Sequence, residues 1–320
     1  MQPESIPKTL QAAVVYFSDP DRALTAAIAL RWPDGVTCPR CGHDKHSFIS
    51  TRRIWFCKGC KKQFTVKVGT IFEDSPLGLD KWLIAMWMLC NCKNGVSSYE
   101  ISRALGVTQT TGWFMLQRLR LGLQGKSGGK LSGGVEVDET FIGGKARNMH
   151  ASKRKAAGVK QGGAGKTVVM GILKRGGEVR AAVVPDRNAT TLQPIVRANV
   201  RKGTQVYTDE HLSYFGLQGD FAHGIINHAE EYVSGQIHTN GMENFWSLLK
   251  RGLGGTYVSV EPFHLFRYVD EQAFRYNTRK DGKRKVSDAE RFQIAMGQIN
   301  GKRLTYDKLT GKEGENAAIW

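Results

Sequence analysis

Four cysteines constrain this chain more tightly than any other residues. Cys38-Pro39-Arg40-Cys41 and Cys57-Lys58-Gly59-Cys60 are two C-x2-C pairs separated by fifteen residues. At that spacing two knuckles present four thiolates to one tetrahedral zinc, and a shell closed by four protein ligands makes the ion structural. The expectation is therefore a single Zn²⁺ held by Cys38, Cys41, Cys57 and Cys60. Gly42 and Gly59 stand where the knuckles turn tightly and a positive φ is often needed. Between the knuckles, Phe48-Ile49 and Arg53 to Phe56 can form the short strands of a ribbon. Cysteines paired in this way suit a reducing compartment better than disulfides. Cys90 and Cys92 lie in an apolar stretch and read as core thiols.

The charge points to a polyanionic partner. Lys and Arg number 46 against 29 Asp and Glu, a net +17, and nucleic acid is the commonest such partner. The basic and aromatic residues between the knuckles suit DNA. The longest apolar run, Trp82 to Cys92, is too short for a membrane span and fits a buried helix. The N-terminus lacks the basic, apolar and cleavage regions of a secretory signal, so a cytoplasmic location is expected.

Residues 8–31 read as an amphipathic helical region, with Leu10, Val14, Phe17, Leu24 and Ile28 at helical spacing and a break at Asp19-Pro20. A helix follows from Leu79 to about Lys93. Ser97 to Leu123 reads as two helices about Gly106, a helix-turn-helix pattern packed through Ile101, Ala104 and Leu105 and capped by Thr108. Gln109, Thr110, Thr111 and Arg118 (or Arg120) would then face a groove or phosphates, with an ordinary helical hairpin as the plain alternative. Gly122 to Gly134 is a linker by composition and marks the main domain boundary. Beyond it, Lys166 to Leu173 and Val179 to Val184 form a hairpin, Thr190 to Val200 a helix and Gln205 to Asp209 a strand, with helix again from Glu243 to about Asn277. The stretch after Lys302 is polar and reads as loose.

Three carboxylates sit in contexts that suit metal chelation. Asp138 lies in the β-branched run Val135 to Ile142, Asp209 ends the strand from Gln205, and Glu243 opens a helix. Acids on two strand ends and a helix can converge to hold a pair of divalent cations, the usual device for breaking and remaking phosphodiesters. Strand alternation does not choose between Glu136 and Asp138, and Glu210 and His211 compete with Asp209. Asn240-x-x-Glu243 also fits a capping box, although Glu243, Ser247 and Lys250 flank the apolar stripe of Met242, Phe245, Trp246 and Leu249. No acid occurs between Glu139 and Glu178, a gap that contains nine Lys or Arg. Lys153, Arg154 and Lys155 in that gap are candidates for phosphate contact, a solvated loop being the alternative. Lys166-Thr167 resembles the end of a nucleotide-binding P-loop but lacks its first glycine and its preceding strand, so no nucleotide cofactor is expected.

At these residues the chain resembles bacterial insertion-sequence transposases of the ISXO-like type. These have an N-terminal zinc ribbon, a helix-turn-helix and a DDE catalytic core of ribonuclease H-like fold. The markers are Cys38-Pro39-x-Cys41, Gly69-Thr70-Ile71-Phe72, Val137-Asp138-Glu139-Thr140-Phe141-Ile142-Gly143-Gly144 and Thr208-Asp209-Glu210. The last is His238-x-Asn240-x-x-Glu243-Asn244-Phe245-Trp246-Ser247-Leu248-Leu249-Lys250-Arg251 with Gly255-Thr256-Tyr257. The resemblance implies Asp138, Asp209 and Glu243 as a triad binding two Mg²⁺ ions, in preference to Glu136, Glu139 and Glu210. His238 and Lys250 are second-tier candidates for proton handling or phosphate contact.

Together with the patterns above, it gives a multidomain α+β protein: a helical segment over 1–35, a zinc ribbon over 36–75 and a helix-turn-helix over 76–125. A linker over 126–134 leads to a catalytic core of mixed sheet flanked by helices over 135–285, and a tail over 286–320. The implied activity is binding of terminal inverted repeats, cleavage at the element ends and joining of the 3′-hydroxyl to target DNA, by a homodimer or larger assembly at the bacterial nucleoid. Two alternatives are a non-catalytic DNA-binding regulator derived from such an enzyme, and a nuclease or resolvase that cuts without joining.

Overall fold

The structure, a computed structural model, describes residues 6–125, 128–144, 165–226 and 238–312. Lys153, Arg154 and Lys155 lie outside the described residues. The chain divides into two compact units, one of residues 1–125 with 278–320 and one of 126–277. It is a mixed α+β protein with a zinc-binding cysteine cluster in the first unit and a mixed five-stranded sheet in the second.

In the first unit, helix α1 (Leu10–Phe17) ends where Asp19 caps α2 (Pro20–Arg31), accepting hydrogen bonds from the backbone of Asp21 and Arg22. The buried face of α1 is Ala13 and Phe17, whereas Leu10 and Val14 are exposed. The ribbon is a three-stranded antiparallel sheet of β1 (His46–Ile49), β2 (Ile54–Cys57) and β3 (Gln63–Phe64). Its small core stacks Trp55 on Phe64, with centroids 5.6 Å apart, and sets Trp32 edge-on to both.

Helices α3 (Leu79–Asn91), α4 (Ser98–Leu105) and α5 (Gln109–Leu123) follow. Ser97 and Glu100 form a capping box on α4, Gly106 ends it at φ 59°, and Thr108 caps α5. Ile101 is buried between them, but Ala104 is exposed. As far as residue 312, the C-terminal segment is not the loose tail its polarity suggests. Helix α9 (Asp288–Gly297; α6, α7 and α8 belong to the second unit) puts Phe292 within 5.5 Å of Phe17 and 5.3 Å of Trp87. Leu304 and Leu309 are buried as well. A few apolar anchors between polar residues suffice, because they complete a core that the N-terminal helices leave open.

The second unit is built on a sheet of order β6-β5-β4-β7-β8. Strands β4 (Gly134–Ile142), β5 (Thr167–Lys174) and β6 (Val179–Val184) are antiparallel, while β7 (Gln205–Asp209) and β8 (Ala222–Ile226) run parallel to β4. Residues 128–133 are less free than their glycines suggest. Arg180 donates to the carbonyls of Gly128 and Gly129, both at 2.8 Å, and Leu131 bridges to Val200.

Alternation along β4 divides its side chains between two cores. Val135 and Val137 pack with Leu192 and Val196 of α6 (Ala189–Asn199) on one face. Glu136 and Asp138 point to the other, where Val169 and Leu173 pack against α7 (Asn240–Gly252) and α8 (Leu265–Asn277). Strand β5 is apolar on both faces, as expected of a strand covered on both sides.

Candidate active site and zinc centre

The four cysteine sulfurs lie within 4.8 Å of one another. Cys38 Sγ is 3.8 Å from Cys60 Sγ, and Cys41 Sγ is 3.6 Å from Cys57 Sγ. A tetrahedron with metal–sulfur bonds of about 2.3 Å has edges of about 3.8 Å, so the cluster has the dimensions of a zinc site. The backbone N–H of Cys60, opposed by burial and assisted by that of Gly59, draws the Cys57 thiol down to about 6 and so favours the thiolate. Gly42 has the expected positive φ, 74°. Gly59 does not: its role is space, since a Cβ there would lie 2.4 Å from the His43 ring. At the place in the second knuckle that matches Gly42, Lys61 takes φ 57°. The four thiolates are a structural zinc site, and Cys90 and Cys92 stand outside it.

In the second unit, parallel pairing matches Glu136 with Tyr207. That pairing ends there; two residues further along each strand come Asp138 and Asp209, near enough for the charge of Asp209 to act on Asp138. Antiparallel pairing on the other side sets Gly171 opposite Asp138. Trp246 of α7 lies over that glycine and donates its indole N–H to Asp138 Oδ2 at 2.9 Å. Asp138 Oδ1 accepts the backbone N–H of Glu139 at 2.8 Å. Burial, then the charge of Glu139, push the Asp138 carboxyl up to about 7 against the Trp246 hydrogen bond, and the charge of Asp209 adds to that push.

Both competitors of Asp138 are engaged elsewhere. Glu136 is 1% exposed: Oε1 accepts from Arg175 Nε at 2.9 Å and Oε2 from the Met242 backbone N–H at 3.0 Å. Glu139, on the opposite face, accepts from Arg187 Nε at 2.6 Å and from the Tyr214 hydroxyl. Glu136 thus satisfies a donor at the start of α7, and the capping box expected from Asn240 and Glu243 does not form: Thr239 occupies the cap position without a side-chain bond. Glu243 is exposed in the first turn of α7, with Ser247 and Lys250 exposed along the same flank. Met242, Phe245, Trp246 and Leu249 form the buried stripe, as the spacing predicted. His238 lies beside Glu136, with Nδ1 3.4 Å from Oε1.

Asp138 and Asp209 are therefore brought together, with Glu243 on the helix that reaches Asp138 through Trp246. Three carboxylates are hard oxygen donors of the kind that Mg²⁺ prefers. Among the described residues the cysteine cluster is the only group of three or more candidate ligands within a mutual 4.8 Å. A cage for one ion needs that closeness. A site for two ions sharing one carboxylate does not, because the outer ligands lie beyond ions that are themselves about 4 Å apart.

In the first unit, the residues expected to contact DNA divide. Thr110 is exposed, and Thr111 Oγ1 lies 2.8 Å from Thr108 Oγ1. Gln109 turns back to donate to Ser98 Oγ at 2.8 Å. Arg118 is 4% exposed, donates to the Glu73 carbonyl and lies over Trp82 and Phe114. Its guanidinium belongs to the core of its unit, where burial lowers it to about 10, so the expectation that it faces a groove does not hold.

Trp246 and Gly171 are the residues the sequence reading missed. Trp246 has the spacing of a core residue, but a buried indole N–H needs an acceptor, and that requirement, three positions from Glu243, is the signal in the sequence.

Residues 130–277 match the ISXO2-like transposase domain, and residues 18–63 match the transposase zinc-ribbon domain. A protein in the transposable element ISH50 of Halobacterium salinarum is 28% identical over 247 residues, covering 72% of this chain and 82% of that protein. A transposase-like protein of Haemophilus influenzae is 35% identical over 101 residues, covering 31% of this chain and 81% of that protein. The chain belongs to the ISXO2-like family of insertion-sequence transposases, in which a zinc ribbon precedes a DDE domain. Among the described residues, no helix is long and apolar enough to cross a membrane.

Proposed function

We propose that this protein is an active DNA transposase. It binds the terminal inverted repeats of its element, cleaves at the element ends and joins the freed 3′-hydroxyl to target DNA. The observation that carries the reading is that Asp138 and Asp209, on neighbouring parallel strands, lie near enough for the charge of one to act on the other, with the helix of Glu243 hydrogen-bonded to Asp138. The sheet, three antiparallel strands followed by two parallel to the first, supports a ribonuclease H-like core.

Asp138, Asp209 and Glu243 would together hold the cations. Divalent cations at these acids, Mg²⁺ by the donor chemistry, would activate the attacking oxygen and stabilise the leaving one. Glu136, held by Arg175 and the start of α7, keeps the helix of Glu243 in register with the sheet. Lys250, exposed on the flank of Glu243, supplies positive charge for a phosphate. Exchange of one phosphodiester for another needs no nucleotide.

Helices α4 and α5, joined by Gly106 to Thr108, act as the helix-turn-helix with Thr110 toward DNA, and the ribbon adds basic and aromatic contacts such as the exposed Phe48. Two ends must be held at once, so the active form is a dimer or larger assembly, working at the nucleoid. The test uses labelled end-containing DNA with Mg²⁺. Wild type yields nicked and joined products and Asp138→Asn yields neither. A regulator would bind without nicking, a nuclease would cut without joining, and either result overturns the proposal.

A further inference from the structure

The contact between Trp246 and Asp138 is more than packing. The indole is 4% exposed and lies on the backbone of β5 at the residue paired with Asp138. That residue is glycine, and a Cβ there would come within 2.8 Å of Trp246 Cη2 and Cζ2 and 2.2 Å of Met242 Cε. Gly171 therefore makes the seat that lets the ring reach Asp138. The two Asp138 oxygens then have separate donors, the Glu139 backbone on Oδ1 and Trp246 on Oδ2. Each carboxylate oxygen has two lone pairs, so both oxygens keep one for a cation. The chain that supplies the N–H is the helix that carries Glu243, one turn earlier.

We infer that Trp246 is a positioning residue. Its N–H, seated over Gly171, fixes the Asp138 carboxylate in one orientation and ties that ligand to the helix of Glu243. The inference rests on the metal-binding role proposed above for Asp138. Hydrogen bonds that orient a ligand are typically worth 10–100-fold in metal affinity, a much larger effect than loss of one exposed contact.

The test is titration of the zinc-loaded full chain with Mn²⁺, read as the rise in melting temperature, with strand transfer measured in parallel. Trp246→Phe keeps an aromatic ring in the core and removes the donor together with part of the indole's volume. It should raise the half-saturating Mn²⁺ concentration about 10-fold while the circular dichroism of the metal-free protein stays the same. Gly171→Ala, which displaces the indole but leaves it in the chain, should shift the midpoint in the same direction. It decides the matter alone if Trp246→Phe fails to fold. If Asp138→Asn abolishes the Mn²⁺ response but both other variants titrate like wild type, the positioning role is wrong and the metal site stands. If Asp138→Asn leaves the response intact, the metal-binding reading of Asp138 fails, and the role of Trp246 fails with it.

Discussion

Asp138 holds the most informative ionisation in the second unit, because its environment opposes the charge its proposed role requires. Burial and Glu139 move its carboxyl from the usual 3.8 up to about 7. The folded metal-free chain thus retains a proton there that the unfolded chain has already lost. The stability this confers is complete below about pH 4 and is lost as pH rises through 7. Asp138→Asn should accordingly melt higher than wild type at pH 8 without added divalent cation, and the gap should shrink as pH falls toward 4. Equal melting temperatures at pH 8 would show that the carboxylate is not strained. Glu136 is the opposite case, a buried acid satisfied by Arg175 and a helix N–H. Glu136→Ala leaves both donors without that partner and should cost about 3 kcal/mol in urea unfolding, despite removing no proposed ligand. At Lys61, held at φ 57°, glycine relieves backbone strain of about 1 kcal/mol, partly offset by its greater freedom when unfolded. Lys61→Gly should raise the melting temperature slightly.

Among elements, those with strong local signals are legible in the sequence. The cysteine spacing located the zinc centre, Gly106 and Thr108 located the turn between α4 and α5, and the runs Lys166 to Leu173 and Val179 to Val184 located the hairpin of β5 and β6. The elements misread are those whose state depends on distant partners. Strand β8 is short and pairs only with β7, so it left no periodic trace. The segment after Lys302 reads as loose because its partners are far off in sequence: Tyr306 packs edge-on against Phe114, and Arg303 bonds to Asp74. At the site, alternation placed Glu136 and Asp138 on one face but could not tell which was free. That distinction comes from Arg175 and Met242, which lie 39 and 106 residues from Glu136. The same logic predicts that Phe292→Ala, by emptying a space between Phe17 and Trp87, destabilises the helical core by about 3–5 kcal/mol. A denaturation midpoint unchanged from wild type would instead indicate a dispensable tail.

At the scale of the whole molecule, a net charge of +17 agrees with the proposed role of gripping and cutting a polyanion. Binding to end-containing DNA should weaken steeply with salt, by about 0.9 log units per log unit of salt for each phosphate contacted. Stripping the zinc should unfold the ribbon and expose Trp32 and Trp55, seen as a red shift in tryptophan emission. The central claim is that Asp138, Asp209 and Glu243 share divalent cations, and anomalous diffraction from crystals grown with Mn²⁺ tests it most directly. The account predicts peaks about 2.1 Å from carboxylate oxygens of all three residues, with Asp138 touching each ion. Peaks that engage Glu136, Glu139 or Glu210 in place of any of the three would contradict it.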